Sequence, residues 1–476
     1  MEKGNSITYQ EAVEKLSKLG QEHILRFWDE LDKAQRQSLL QQIESLEERL
    51  LEKFTGMLKS GAAAAPYKPG TLEPLSVIPL PQTTDDLKAR HQARQIGEDA
   101  IRQGQVGTIL VAGGQGTRLG FEGPKGTFPV GPITQRTLFQ YHTEKLLALE
   151  RKFQTTIPLY IMTSETNDQQ TREFFAAHNY FGKSPDSIIF FRQGMLPPID
   201  PSGRLFLEKK WKISMSPDGH GGLLRALQKN HLVDDMRQRG VQYLFYFQVD
   251  NALVIICDPV FIGYHILYDS EMSAKTVYKR SPEEKLGNIG RIDGKVVTIE
   301  YTELSHEEKY ATNADGRLKF GQGSIAIHVF SRSFFERLTN ERIELPYHLA
   351  FKKITYIDEK GAQIKPDAPN GYKFEQFIFD AFPYARNVMV METDRKQDFS
   401  AIKNAAGEDS PETARRDLSN LFADWLEKAG VAVQRDKEGH ALHKIEISPL
   451  FAIDAEELSE RLNPIDIRGD LLLENK

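Results

Sequence analysis

One cysteine in 476 residues, Cys257, excludes an intramolecular disulfide and any metal centre built from several thiolates. It stands in the apolar run LVIICDP, which reads as a strand burying an inert thiol. No run of 18 apolar residues occurs, and the opening MEKGNSITYQ lacks a signal-peptide core. No membrane partner is therefore expected, and the chain reads as a soluble, cytoplasmic protein. Neither sign of charge prevails: 61 Lys and Arg face 67 Asp and Glu, a net charge of −6. That balance argues against a general nucleic-acid or membrane-surface binder. No internal repeat is visible, and low complexity is confined to Ala62–Ala65.

What the chain has is a glycine loop. In Thr108–Phe128, TILVAGGQGTRLGFEGPKGTF, an apolar run ends in a segment carrying Gly113, Gly114, Gly116 and Gly120, with Arg118 and Lys125 among them. A buried strand opening into a loop without side chains presents backbone N–H groups, which suit phosphate. The two cations supply the charge that a polyphosphate needs. A Walker A motif would need Gly-Lys-Ser/Thr, but Lys125 follows Pro124. The dinucleotide fingerprint begins at Gly114 and Gly116 and fails at Leu119. The remaining pattern, G-x-G-T-R followed by Pro-Lys, resembles the signature loop of sugar-nucleotide pyrophosphorylases.

Around the loop, periodicity predicts an α/β protein with a mostly parallel, Rossmann-like nucleotidyltransferase sheet. Residues 1–105 read as an N-terminal helical region, 106–395 as the catalytic domain and 396–476 as a small C-terminal domain. Apolar stripes predict helices ending at Leu19–Gly20, around Ile24–Leu31, and through Leu39–Leu50. A proline-rich stretch from Pro66 to Pro81 reads as extended chain on the surface, before a helix over Asp85–Gln103. Predicted strands are Val106–Ala112, Leu159–Thr163, Ile188–Phe191 and Gln242–Val249, with helices over Leu138–Leu149 and Thr166–Asn179. Residues 275–330 read as antiparallel, with Asp293-Gly294 as a hairpin turn. A helix is predicted near Pro411–Lys428.

Three further segments carry candidate chemistry. Gln193 lies in a strand-end loop, QGMLP. Ser216–Gly222, SPDGHGG, is a second glycine loop ahead of the helical LLRALQKN. Asp250 ends the apolar VQYLFYFQVD, where a carboxylate facing a polyphosphate cradle would hold Mg²⁺ together with substrate phosphates.

The chain resembles eukaryotic-type UDP-N-acetylglucosamine pyrophosphorylases over nearly its full length. The resemblance is carried by GQEHILRFWDEL, LVAGGQGTRLGFEGPKG, QGMLP, PDGHGGLLRAL and VDNALVIICDPVFIG. It continues through GNIGRIDGKVVTIEYTEL, LPYHLAFKKITYID, IKPDAPNGYKFEQFIFDAF and DFSAIKNA. It implies a uridylyltransferase that makes a UDP-sugar and pyrophosphate from UTP and a sugar 1-phosphate, N-acetylglucosamine 1-phosphate first. A UDP-glucose or broad UDP-sugar pyrophosphorylase is the alternative. Implied nucleotide contacts are Val111, Ala112, Gly113, Gly114, Lys125, Gln193, Gly219, Asp250 and Lys373. Arg118, Lys125 and Lys403 would steady the reacting phosphates, and Asp250 the metal. Sugar contacts would come from Gly287, Glu300, Tyr301, Phe377, Phe379 and Lys403.

Three positions depart from the family pattern. His220 stands where the family has Asn in PDGNGG, whereas UDP-glucose and broad UDP-sugar enzymes use a G-H-G turn. Gly323-Ser324 replaces Gly-Asn, and Ile327 replaces a nearby Asn. His220 and Ser324 are accordingly expected near the sugar, with fewer amide donors around it. Nothing in the sequence fixes an oligomeric state.

Overall fold

A computed structural model describes residues 7–60, 71–463 and 465–475. The chain divides into two compact units, neither contiguous in sequence. The first comprises, among the described residues, 7–60, Gln193–Gly222 and Glu344–Ile378; the second comprises 71–192, Leu223–Ile343 and Phe379 onward. These boundaries differ from the expected cuts at 105/106 and 395/396. The cause is long-range burial: the N-terminal helices find their core partners in residues 193–222 and 344–378, not in their sequence neighbours.

In the first unit, helix Tyr9–Leu19 starts in a capping box, Thr8 with Glu11, and stops at Gly20 with φ 66°. The expected helix over Ile24–Leu31 is instead two 3₁₀ turns, Glu22–Leu25 and Trp28–Glu30. The stripe Leu39–Leu50 is broken at Leu46 into helices Lys33–Ser45 and Glu48–Lys59. Their apolar face packs with Leu196, Ile199, Tyr347 and Phe374. Phe54 stacks on Phe374, ring centroids 3.6 Å apart. Short antiparallel pairs complete the unit, the longest being His348–Lys352 with Gly371–Glu375.

The second unit holds a ten-stranded sheet. Its strands are β1 (Glu73–Pro74), β2 (Val106–Val111), β3 (Leu159–Thr163), β4 (Ile188–Arg192), β5 (Tyr243–Gln248), β6 (Met272–Tyr278), β7 (Asn288–Ile292), β8 (Lys295–Ile299), β9 (Gln322–Ser331) and β10 (Val388–Glu392). The order is β1-β7-β9-β5-β2-β3-β4, with β8 on β7 and with β6 between β9 and β10. The block β5-β2-β3-β4 is parallel, and its strands are the near-continuous apolar runs that two covered faces demand. The segment from β6 to β9 is antiparallel, with β7 and β8 turning at Asp293-Gly294 as expected. Of the proline-rich stretch, residues 61–70 lie outside the described residues, and Glu73–Pro74 pairs with β7.

Helices cover this sheet. Thr84–Arg102 crosses Pro259–Leu267 at a point where only glycine fits. A Cβ on Gly97 would overlap the Pro259 carbonyl, and one on Gly263 the Ala93 carbonyl. Helix Pro411–Lys428 packs on strand Ile445–Ile447, and the buried Glu446 accepts hydrogen bonds from Ile133 N (2.7 Å), Thr134 N (2.8 Å) and Tyr141 Oη (2.8 Å). Among the described residues no helix is long and apolar enough to cross a membrane. Cys257 is buried, as expected, but in a turn with φ 50° rather than in a strand.

Candidate active site

Parallel pairing sets the candidate site. β2 and β5 run side by side to Val111 opposite Gln248, so the glycine loop and Asp250 leave the sheet at the same carboxyl edge. In parallel sheets ligands bind beyond that edge.

The loop is held from behind. Asn167, fully buried, donates Nδ2 to the carbonyls of Ala112 (2.8 Å) and Gly114 (3.3 Å). Lys125 N also donates to Gly114 O, and Gly116 N to Gly123 O. With the carbonyls tied inward, the backbone N–H groups of Gly113 and Gly114 make no hydrogen bond among the described residues. That is the donor-rich arrangement an anion needs. Arg118 lies exposed on the 3₁₀ turn Thr117–Leu119 and has no ion pair among the described residues.

Lys125 Nζ lies 3.1 Å from Asp250 Oδ2, both side chains mostly covered. Burial raises the pKa of Asp250, but the charges of Lys125 and then Lys403 outweigh it and hold the carboxyl below its usual range. Lys403 reaches this neighbourhood by backbone pairing. Asn251 bridges Ala401, Ala252 N donates to Ser400 O, and Ile402 N donates to Asp250 O. Lys403 N is bonded to Asp409 O at 2.7 Å, and its ammonium is 3.9 Å from the Asp409 carboxylate.

Sequence reasoning missed the residues that fasten these two loops. Asn251 donates Nδ2 to Asp398 O and accepts from Ser400 N. Asp398 accepts from Ile255 N and pairs with Lys275, which also pairs with Asp258 at 2.8 Å. Burial lowers the pKa of Lys275, and the two carboxylates more than reverse this, so the ammonium stays charged. Its signal was readable: a lysine inside MSAKTVY, an otherwise apolar strand. Helix Leu138–Phe153 adds two buried ties, His142 Nε2 donating to Val249 O, and Lys145 donating to the carbonyls of Ala252 (3.1 Å) and Val254 (2.9 Å).

The same unit gathers part of the implied sugar set. Ser324 N donates to Gly287 O at 2.8 Å, and the Glu300 carboxylate lies beside Gly287. Ser324 opens a bulge in β9 whose Ala326 has φ 55°, a conformation that costs an alanine energy. Tyr301 lies in the turn after β8, and Phe379 is buried.

In the first unit, Gly219, His220 and Phe377 come together, Gln193 precedes Gly194, which meets Asp218, and Lys373 lies on the adjoining strand Gly371–Glu375. Asp218 N donates to Gly194 O, Gln376 N to Asp218 O, and Gly221 N to Gln376 O. The glycines of the second loop are thus required by another stretch of this chain. A Cβ at Gly219 or Gly221 would overlap the backbone of Gln376-Phe377. His220 Nδ1 accepts from Ile378 N at 3.2 Å, so a neutral ring carries its proton on Nε2. Burial, then the His348 charge, lower its pKa to about 4. The His220 ring stacks on Phe377, centroids 5.2 Å apart.

A parallel sheet whose carboxyl edge carries an open N–H loop, two lysines and one ionised carboxylate has the parts of a site for the phosphates of a nucleotide. The family model described as UTP--glucose-1-phosphate uridylyltransferase matches residues 74–441. The chain is 36% identical to "UDP-N-acetylhexosamine pyrophosphorylase-like protein 1" of Homo sapiens, covering 98% of this chain and 97% of the relative. It is 37% identical to "UDP-N-acetylglucosamine pyrophosphorylase" of Saccharomyces cerevisiae, covering 96% and 98%. The crystal structure of the uridine diphosphate N-acetylglucosamine pyrophosphorylase from Trypanosoma brucei in complex with an inhibitor superposes with a TM-score of 0.81, at 30% identity, over 96% of this chain and 95% of that one. The chain belongs to the UTP--glucose-1-phosphate uridylyltransferase family, and it is a pyrophosphorylase acting on UTP and a sugar 1-phosphate.

Proposed function

We propose that the chain transfers the uridylyl group of UTP to N-acetylglucosamine 1-phosphate and releases pyrophosphate. The observation that carries the chemistry is the Lys125–Asp250 pair at the mouth of the phosphate loop. The sugar is supported by the similarity to relatives named for N-acetylglucosamine or N-acetylhexosamine.

An oxygen of the sugar phosphate attacks the α-phosphorus of UTP in line, and the bond to the departing pyrophosphate breaks. Such transfers ask a protein for position and neutralised charge more than for covalent chemistry. Val111, Ala112, Gly113 and Gly114 cradle the nucleotide, and Arg118, Lys125 and Lys403 balance the phosphates. In the first unit, Gln193, Gly219 and Lys373 keep the nucleotide roles that the resemblance implies, and His220 and Phe377 the sugar roles. Gly287, Glu300, Tyr301, Ser324 and Phe379 keep sugar roles in the second unit.

The donor set fits Mg²⁺ in one specific way. Among the described residues no three His, Cys, Asp or Glu converge, but Asp250 is an ionised, sheltered carboxylate. Mg²⁺ uses few protein carboxylates and completes its shell with phosphate oxygens and water. Bound there, the ion would neutralise charge on the nucleotide phosphates, and Asp250 is the residue that would hold it.

A second reading, UDP-glucose or broad UDP-sugar synthesis, is favoured by His220, Ser324 and Ile327. Pyrophosphate release measured with UTP and N-acetylglucosamine, N-acetylgalactosamine, glucose or galactose 1-phosphate separates the two. N-acetylglucosamine 1-phosphate is expected to give the highest kcat/KM; a clear win for glucose 1-phosphate would replace the first reading with the second.

A further inference from the structure

The second unit contains a cavity of about 480 Å³ away from the glycine loop, between helices Thr84–Arg102, Leu138–Phe153 and Pro411–Lys428. Its volume lies in the range of small-molecule sites. The floor is apolar, with Phe153, Leu253, Leu421, Phe422, Trp425 and Ala452. Leu87 and Ile255, both exposed, extend that surface to the rim.

The charges lining it do not cancel evenly. Glu98 and Glu456 are engaged by Arg94, Asp454 by Lys152, and Asp258 by Lys275. Arg90 also lines the cavity; against burial, its charge joins that of Lys275 in holding the Asp258 carboxyl below its usual range. Lys428, exposed in the same lining, has no ion pair among the described residues. Lys145 lines it as well, with burial bringing its pKa down to about 8 and only carbonyls as hydrogen-bond partners. An apolar floor with positive charge left over selects a molecule of the opposite make-up.

We propose that this cavity is a regulatory site for an amphipathic anion, a hydrocarbon or aromatic body carrying one carboxylate or sulfonate. Its link to the active site is Lys145. The ammonium ties the carbonyls of Ala252 and Val254, in the loop that begins with Asp250. An anion that draws the ammonium away releases that loop, and uridylyl transfer slows.

The test uses the full chain and two probes, 8-anilinonaphthalene-1-sulfonate as reporter and decanoate as competitor. Saturable fluorescence from one site per chain is expected, displaced by decanoate and not by decyltrimethylammonium. Ala452→Trp, which fills the floor, and Lys428→Glu, which inverts an exposed charge at the rim, should each weaken the probe about tenfold or more. Lys428→Glu, expected to leave Tm unchanged, guards against a folding failure of the tryptophan variant. Decanoate at saturation should lower the rate of pyrophosphate release in the parent and not in Lys428→Glu at the same concentration. Non-saturable binding, equal displacement by the cationic surfactant, or saturable binding that leaves the rate unchanged would each overturn the proposal. The binding arm does not depend on which sugar phosphate the enzyme prefers.

Discussion

Lys125 Nζ and Asp250 Oδ2 lie 3.1 Å apart across 125 residues of sequence, joining the phosphate loop to the end of β5. The pair explains why the carboxylate stays charged while largely covered, and it places an ammonium where a phosphate would arrive. Asp250→Asn keeps the shape and removes the charge. Turnover is expected to fall by a factor on the order of 10²–10³, the cost of losing one electrostatic contact in a sheltered site. The Mg²⁺ concentration for half-maximal rate should rise as well. Parent-like turnover at the same Mg²⁺ would take Asp250 out of the machinery.

Lys275 is fully buried between Asp258 and Asp398, and Asp398 in turn fastens the loop that presents Lys403. Lys275→Met would strand two carboxylates in a dry interior. Breaking a buried pair in this way costs about 3–5 kcal/mol. Urea denaturation should show a loss of that size, and the surviving folded enzyme should have a raised KM for the sugar phosphate. An unchanged denaturation midpoint would show that the carboxylates find other partners.

His142 and His265 are fully buried, and burial lowers the pKa of each to about 3, with the Lys145 charge adding to the effect at His142. Above the ordinary His value of about 6.5, both states are neutral and pH has no effect through these groups. Below it, the unfolded chain takes up protons that the folded rings refuse until about pH 3. Stability is therefore present above pH 6.5 and lost as pH falls, by up to about 1.4 kcal/mol per pH unit for each ring. His265→Gln should flatten the slope between pH 6 and pH 4 by one ring's share; equal slopes in parent and variant would contradict this.

Gly263 and Gly97 let two helices touch backbone to backbone. By helix propensity alone, alanine at either position would gain about 1 kcal/mol. The overlap with a carbonyl oxygen wins, because backbone cannot swing aside as a side chain can. Gly263→Ala is expected to destabilise the second unit by about 1–3 kcal/mol. A raised Tm would mean that the crossing is looser than described.

The phosphate loop and Asp250 were legible because each is a strand followed by a break, a pattern local in sequence. The element bounds followed for the same reason: Leu159–Thr163 and Pro411–Lys428 are found as read. Lys403 was another matter. Its place depends on bridges between residues 250–252 and 400–402, and no local pattern announces a pairing at that separation. The helical stripe over Ile24–Leu31 became two short turns, because the amphipathic spacing reports which residues are covered and not how the backbone covers them. The first unit was hidden most completely. Its helices read only as an N-terminal helical region, and the Phe54–Phe374 stack and the packing of the helices with Leu196 and Ile199 show that they share a core with the segments on either side of the His220 loop.

That stack has a consequence for synthesis. Phe54 leaves the ribosome roughly 300 residues before Phe374, an interval of some tens of seconds at ordinary rates of translation. Through that interval the apolar face of the nascent helices Lys33–Ser45 and Glu48–Lys59 is only partly covered, because Leu196 and Ile199 are made midway and Tyr347 and Phe374 only at its end. The first unit is the earliest to begin and cannot close until most of the chain has been made, so its yield depends on what shelters those helices while they wait.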